Sequence, residues 1–188
     1  ISFDKLDGSN IRVKYTPKKG FNLFGSRHEL FDETHPFLAG AITSFQKTCQ
    51  DFLTKLFIDN KLFTKAKEII VFGEYVGELS FAGYHDPNDS TKKFVPFDIL
   101  LVYKDRVEFI KPQDFIELLE DSVEIPRVIY RGMMGEQFIQ DIRDDKYNTK
   151  EGVICKGTKY LGAYRGKIWM AKVKTQRYLD SLKSQFND

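Results

Sequence analysis

The sequence Phe3-Asp4-Lys5-Leu6-Asp7-Gly8-Ser9-Asn10 places a lysine between two segments of strand-like composition. Asp7-Gly8 is a common turn signal, and the apolar residues on both sides of it are compatible with strands. A lysine in such a place is usually a solvated surface residue. Lys5 is therefore a candidate for chemistry only if the rest of the chain supplies the partners that a reactive lysine requires.

The composition is that of an ordinary globular protein, with 188 residues, 41% hydrophobic, 30% charged and a net charge of +2. We predict a single domain over residues 1–188, since no repeat or linker divides the chain. The mild net charge permits a nucleic-acid partner without requiring one. Basic residues with no acidic residue between them cluster late in the sequence, at Lys156, Lys159, Arg165, Lys167, Lys172, Lys174 and Arg177. They form either a solvated basic face or a phosphate-binding surface.

The two cysteines, Cys49 and Cys155, lack metal-ligand spacing and are predicted to be reduced, partly buried thiols. The sequence contains no run of 18 apolar residues and no visible signal peptide. We therefore expect an intracellular, cytoplasmic protein that has no membrane partner and is a monomer.

Strands and helices are predicted in an irregular order, which favours an α+β fold over a doubly wound α/β fold. Strands are predicted over residues 10–15, 21–24, 68–76, 94–103, 106–110, 125–130, 152–156, 160–164 and 168–173. Helices are predicted over 36–57, 112–119, 135–142 and 176–186. Pro36 is expected in the first turn of the long helix, and Thr175 is expected to cap the last one. A polar loop over residues 77–93 is predicted to be mobile.

Two acidic residues and two lysines lie in or directly beside these predicted strands. Glu74 lies inside an apolar strand, and Glu151 opens another. Lys172 and Lys174 alternate with apolar residues, so both point to one face of a strand. Each has an ordinary explanation, because a strand can turn charged side chains towards water. P-loop, dinucleotide-binding, serine-hydrolase and kinase signatures are absent, and the three histidines are too scattered to indicate zinc.

Together with Lys5, these residues form a combination suited to phosphate chemistry. A lysine attacks when neighbouring cations or desolvation lower its pKa. Carboxylates hold Mg²⁺ together with substrate phosphates. Lysines on one face neutralise the charge that a phosphate group develops in a transition state. The combination predicts attack of Lys5 on the α-phosphate of a nucleotide.

The sequence resembles the covalent nucleotidyltransferases, which include ATP-dependent ligases and mRNA capping enzymes. The resemblance covers nearly the whole chain in six short motifs: Lys5-Leu6-Asp7-Gly8, Ser26-Arg27, Phe72-Gly73-Glu74, Phe97-Asp98-Ile99, Glu151-Gly152-Val153 and Lys172-Val173-Lys174. Gly8-Ser9-Asn10 is similar to the RNA-ligase branch that includes the second phage T4 RNA ligase and the trypanosome editing ligases. DNA ligases and capping enzymes usually carry arginine where this chain has Asn10.

The resemblance implies an ATP-grasp-like nucleotidyltransferase domain of antiparallel sheets flanked by helices. It implies three steps: Lys5 forms lysyl-AMP with ATP, AMP moves to an RNA 5′-phosphate, and a 3′-OH displaces the AMP. The cofactors would be ATP and Mg²⁺ or Mn²⁺, and the partner would be RNA with 5′-phosphate and 3′-OH ends.

The resemblance also implies residue roles around the nucleotide. Phe97 would stack on adenine and Asp4 would accept a hydrogen bond from its amino group, while Glu74 would bind the ribose hydroxyls. Glu151 would place the metal, and Lys172 and Lys174 would contact the α-phosphate. Arg27 would contact the ribose or the incoming strand, and Asn10 would serve the RNA-bound steps.

Three other functions remain open at this point. The chain could be a DNA ligase or a capping-type nucleotidyltransferase. It could be a nucleic-acid-binding module that keeps the fold without catalysis. It could also be an α+β interaction domain, although this requires all six motifs to be coincidental.

Overall fold

The structure, a computed structural model, describes residues 1–162 and 166–186 and confirms the predicted α+β class. The strands are β1 (Ser2–Asp4), β2 (Ser9–Thr16), β3 (Gly20–Gly25), β4 (Leu30–Phe31), β5 (Glu68–Val76), β6 (Lys93–Val102), β7 (Val107–Phe109), β8 (Val128–Tyr130), β9 (Gly152–Tyr160) and β10 (Ile168–Lys174). The α-helices are α1 (Ala39–Phe45), α2 (Asp51–Asp59), α3 (Pro112–Leu119), α4 (Glu136–Arg143) and α5 (Gln176–Phe186).

The strands form two antiparallel sheets. The larger sheet has the order β4-β3-β2-β5-β6-β7, and the smaller sheet has the order β10-β9-β1-β8. Because β1 belongs to one sheet and β2 to the other, the residues between them join the two sheets. Lys5 and Gly8 both lie in this junction.

Helices cover one face of the larger sheet. Ile69, Val71 and Tyr75 of β5 alternate along the strand and belong to the core that α1 and α2 help to form. Phe45 of α1 is fully buried, and its ring packs edge-on against Phe94 of β6 at 5.3 Å. Since side chains alternate between the faces of a strand, the remaining β5 side chains point away from these helices and towards the smaller sheet.

The smaller sheet has a core of its own beside α4. Phe138 and Ile142 of α4 pack with Val153 of β9 and Val173 of β10. The same alternation turns the intervening side chains of β9 and β10 to the other face. The sheet faces that lie away from α1, α2 and α4 therefore look towards each other across the junction.

Two glycines allow the backbones to approach closely at this junction. A Cβ atom on Gly8 would lie 2.2 Å from the carbonyl oxygen of Tyr75, so any larger residue would force β2 and β5 apart. Gly152 has a φ of +140°, and a Cβ atom there would lie 2.1 Å from the carbonyl oxygen of Val173. Only glycine tolerates both the conformation and the contact.

The predicted helix over residues 36–57 is wrong at its start and in its continuity. It begins at Ala39, because the ring nitrogen Nδ1 of His35 accepts the N–H groups of Phe37 and Leu38 at 3.2 and 3.0 Å. A π-helical segment over Gln46–Gln50 separates α1 from α2. There the Thr48 hydroxyl donates to the carbonyl oxygen of Ser44 at 2.8 Å, in competition with the regular helical ladder.

Other boundaries differ at the strands. Ser2–Asp4 forms β1, which was not predicted, and the predicted strand over 125–130 is shortened to β8. The predicted strands over 152–156 and 160–164 are one strand, β9, which ends at Tyr160, and residues 163–164 lie outside the described part of the chain. Within the described ranges, every helix falls short of the length and hydrophobicity that a membrane-spanning helix needs.

Candidate active site

Two cavities adjoin between the facing sheets. The larger has a volume of about 560 Å³ and the smaller about 370 Å³. All nine residues singled out in the sequence line one or both of them: Asp4, Lys5, Asn10, Arg27, Glu74, Phe97, Glu151, Lys172 and Lys174. The strands therefore bring together side chains from both ends of the chain at a single site.

Glu151 is the centre of the charged part of the larger cavity. Its side chain is only 3% exposed, and Lys5 Nζ lies 2.6 Å from Oε2. Lys174 Nζ lies 2.9 Å from Oε1, so both carboxylate oxygens accept from an ammonium group. Two lysines against one buried carboxylate leave a positive charge, and Lys172 adds another at the wall of the same cavity. The arrangement favours an anionic ligand.

Glu74 faces the cavity because it occupies the face of β5 that lies away from α1 and α2. The β2–β5 register places it opposite Asn10, and the N–H of Gly8 donates to its Oε1 at 3.1 Å. Burial raises the pKa of Glu74 to about 7, although the charge of Lys5 and the Gly8 N–H oppose this shift. Its carboxyl group is thus poised to change protonation near neutral pH.

The smaller cavity has a more apolar wall, which includes Phe3, Phe97 and Met170. Asp4 lies at its edge, where Arg127 Nη2 is 3.3 Å from Oδ2. Burial raises the pKa of Asp4, while Arg127 lowers it. A cavity that combines an apolar wall with a few polar groups is the kind of site that takes an aromatic ring system.

A buried ion pair beside Phe97 was not predicted from the sequence. Lys156 Nζ donates to Asp98 Oδ1 and to the carbonyl oxygen of Phe97, both at 2.7 Å. Burial raises the pKa of Asp98, and Lys156 lowers it. Part of this contact could have been predicted from strand alternation. Lys156 lies two residues after Ile154 in β9, so both side chains point to the cavity face of the strand.

Arg27 and Asn10 line both cavities, and Arg27 is exposed. The basic residues that cluster late in the sequence do not form one surface. Lys156 is buried and Arg177 pairs with Asp145 at 2.8 Å, while Arg165 lies outside the described residues. The late basic residues are therefore divided between a buried pair, a surface ion pair and the larger cavity, which Lys172 and Lys174 line.

The polar loop between β5 and β6 forms one wall of the larger cavity through Ala82 and Gly83. The Ala82 N–H donates to both carboxylate oxygens of Asp7, at 2.9 and 3.0 Å. Lys150 Nζ donates to the carbonyl oxygens of Glu78 and Ser80 at 2.8 and 2.7 Å. The loop is thus tied to the residues that flank Lys5 and Glu151.

A divalent cation would find one carboxylate of the right kind here. Among residues 1–162 and 166–186, no group of three or more His, Cys, Asp or Glu side chains is arranged to hold a metal ion. Mg²⁺ is commonly held by one or two carboxylates together with substrate phosphates and water. Glu151 fits that type of site, in which the substrate supplies further oxygens.

The fold is similar to that of known RNA ligases. A Naegleria gruberi RNA ligase with PPi matches with a TM-score of 0.61 and 21% identity, over 97% of this chain and 51% of that chain. A mutant of the same ligase with AMP and Mn matches with a TM-score of 0.65 and 17% identity, over 96% and 50%. An archaeal ATP-dependent RNA ligase matches with a TM-score of 0.59 and 15% identity, over 94% and 42%. The two antiparallel sheets are thus arranged as in these solved RNA ligases.

The family follows from the sequence match. A model described as RNA ligase matches residues 2–174. The chain therefore belongs to the RNA ligase family, which confirms the predicted relationship at family level. It spans about half the length of the solved structures it matches. No curated protein was found to match it.

Proposed function

We propose that the chain is the adenylyltransferase domain, ATP-grasp-like in fold, of an ATP-dependent RNA ligase that forms lysyl-AMP on Lys5. The observation that carries the proposal is the Lys5–Glu151–Lys174 cluster, with ammonium groups at 2.6 and 2.9 Å from one buried carboxylate. Burying charged groups costs desolvation free energy, so a cluster of three charges beside an open cavity favours a functional role over a purely structural one.

In the first step the Lys5 amine attacks the α-phosphate of ATP. The N–P bond forms as the P–O bond to pyrophosphate breaks, and the phosphoramidate nitrogen releases one proton. Before the attack, the Lys5 ammonium group must lose another proton, because only the neutral amine has a free lone pair. Glu151 accepts the hydrogen bond of Lys5 Nζ and is placed to hold that proton. Lys172 and Lys174 neutralise the charge that develops on the phosphate.

The smaller cavity holds the nucleoside in this proposal. Phe97 stacks on adenine, and Asp4 accepts from the adenine amino group with the oxygen that Arg127 leaves available. Glu74 accepts from the ribose hydroxyls, between the base and Lys5. Glu151 would supply a carboxylate oxygen to Mg²⁺ or Mn²⁺ in place of one of its lysine contacts, and the metal would neutralise phosphate charge.

In the second step AMP moves from Lys5 to the 5′-phosphate of RNA, and in the third a 3′-OH attacks that phosphate and AMP leaves. Asn10 and Arg27 serve these steps, since they line both cavities and Arg27 is exposed to an incoming strand. Gly8-Ser9-Asn10 supports the RNA-ligase branch that includes the second phage T4 RNA ligase and the trypanosome editing ligases. The protein acts as a monomer inside the cell, and its two free, buried cysteines agree with a reducing compartment.

The test is covalent labelling by α-labelled ATP in the presence of Mg²⁺. We expect one label per chain, no label from GTP, and no label on Lys5→Ala. Lys14→Ala is a matched control, because Lys14 pairs with Glu68 on the larger sheet outside both cavities. Labelling of Lys5→Ala would overturn the nucleophile assignment, and preferential labelling by GTP would indicate a capping-type enzyme.

Sealing assays decide the nucleic acid. Nicked RNA, nicked DNA and hybrid duplexes are compared at one enzyme concentration. We expect sealing of RNA nicks with little sealing of all-DNA nicks. Equal sealing of both would contradict the RNA assignment, and labelling without sealing of any duplex would reduce the proposal to adenylylation alone.

A further inference from the structure

A buried histidine connects the loop between β5 and β6 to the segment that carries Lys5. His85 Nε2 lies 2.8 Å from the hydroxyl oxygen of Ser9, and His85 Nδ1 lies 3.3 Å from that of Ser80. Ser80 is 1% exposed and His85 is 9% exposed. Neither His85 nor Ser80 was among the site residues predicted from the sequence, and Ser9 was named only as part of Gly8-Ser9-Asn10. Ser9 lines the larger cavity.

The hydrogen-bond pattern fixes which ring nitrogen carries the proton. The Gly77 N–H donates to the Ser80 oxygen at 2.9 Å. Among the described residues, the Ser80 hydroxyl has no acceptor other than His85 Nδ1. A buried hydroxyl without an acceptor is costly, so Ser80 donates to Nδ1. The ring proton of the neutral imidazole is therefore on Nε2, and burial, which lowers the pKa of His85, favours the neutral ring.

The tautomer of His85 determines whether the Ser9 hydroxyl can donate a hydrogen bond to a ligand. Nε2–H donates to the Ser9 oxygen, so the Ser9 hydroxyl hydrogen is not used by His85 and is available to an acceptor in the cavity. With the opposite tautomer, Ser9 would donate to His85 and would offer the cavity only an oxygen lone pair. The larger cavity is lined by four cationic side chains and three carboxylates, and this excess of positive charge favours phosphate oxygens as the acceptor.

We propose that His85 is a positioning residue that holds the Ser9 hydroxyl as a hydrogen-bond donor to a phosphate oxygen in the larger cavity. The inference rests on the proposed function, because it takes the ligand to be ATP or adenylylated RNA. Ser9 lies in the part of the larger cavity that the smaller, Phe97-lined cavity does not share. The phosphate that Ser9 meets is therefore on the side away from the base.

The experiment is a double-mutant cycle on Ser9→Ala and His85→Asn, read in two arms. One arm measures labelling of Lys5 by α-labelled ATP, and the other measures sealing of a pre-adenylylated RNA nick. We expect each single variant to slow at least one arm about tenfold, as expected for loss of a hydrogen bond to a charged group. In the Ser9→Ala background, His85→Asn should have no further effect. Slower labelling assigns the ATP phosphates, and slower sealing assigns the RNA phosphate.

Two further variants separate positioning from a general effect on the loop. His85→Gln places an amide donor near the position of Nε2 and should keep the rate within about threefold of wild type. Ser80→Ala leaves the imidazole in place but removes the group that fixes its tautomer, so it should slow the same arm, again only when Ser9 is present. Thermal unfolding of each variant establishes that it is folded.

Additive effects of Ser9→Ala and His85→Asn would overturn the inference, as would wild-type rates for Ser9→Ala in both arms. Failure of the wild-type protein to label with ATP is a different result, because it contradicts the proposed function itself.

Discussion

Lys5 Nζ and Glu151 Oε2 are 2.6 Å apart, although 146 positions separate the two residues in the sequence. The contact arises because β1 pairs with β9, which begins directly after Glu151. The backbone N–H of Lys5 also donates to the Gly152 carbonyl oxygen at 2.9 Å. This backbone hydrogen bond holds the two segments at a fixed distance, independently of the two side chains. A change that keeps the shape of Glu151 but removes its charge should therefore affect Lys5 chemistry more than the fold.

Replacing Glu151 tests this relationship. Glu151→Gln keeps the shape but loses the charge that both lysines contact, and we expect labelling by ATP to fall at least about a hundredfold. Glu124→Gln is the matched control, because Glu124 also pairs with a lysine, Lys93, but on the surface. Its labelling should equal that of wild type. Unchanged labelling of Glu151→Gln would exclude Glu151 from the chemical step.

Glu74 should make stability depend on pH. Its pKa rises from an ordinary 4.5 to about 7 in the folded protein, so folding favours the protonated form. The resulting stability is present below about pH 4.5 and is lost as the pH rises through about 7. The difference amounts to on the order of 3 kcal/mol.

Urea unfolding of wild type and Glu74→Gln at several pH values checks this. The free energy of unfolding of Glu74→Gln, relative to wild type, should rise between pH values of about 4.5 and about 7. Glu68→Gln, in the same strand but partly exposed, should follow the wild-type curve. Parallel curves for wild type and Glu74→Gln would contradict the raised pKa.

The buried pair of Lys156 and Asp98 should matter for stability. Lys156→Met leaves a buried carboxylate without its partner and should lower the free energy of unfolding by about 3–5 kcal/mol. A second change, Asp98→Leu, should recover most of that loss. Lys14→Met breaks a partly exposed pair with Glu68 at 3.5 Å and should cost less than about 1 kcal/mol. Equal urea midpoints for Lys156→Met and Lys14→Met would show that the buried pair contributes no more to stability than the partly exposed pair.

Phe97 should act on nucleotide binding more than on the chemical step. Phe97→Ala removes the ring at the wall of the smaller cavity and should raise the KM for ATP about tenfold, with a smaller change in kcat. Phe97→Trp should keep most of the affinity. Tyr103→Ala, beyond the end of the same strand, changes an aromatic residue outside both cavities and should leave KM unchanged. A fall in kcat alone for Phe97→Ala would argue against stacking.

The sheet face to which each site residue points could be predicted wherever it depends on strand alternation. Glu74 occupies the cavity face of β5, and Lys172 and Lys174 both line the larger cavity. The helix over residues 36–57 was less predictable, because one histidine side chain delays its start and one threonine hydroxyl interrupts its ladder. Such hydrogen bonds from side chains to the backbone leave the spacing of apolar residues unchanged, and the helix was predicted from that spacing.

The sequence by itself determined the α+β class, the family and the order of the six motifs, because short-range periodicity and local residue types carry that information. Only the tertiary structure decided that Glu151 accepts from two lysines, that Lys156 is buried rather than part of a basic face, and that His85 reaches Ser9. These contacts join segments far apart in the chain. Their geometry depends on how β1 and β2 divide between two sheets, which local patterns do not encode.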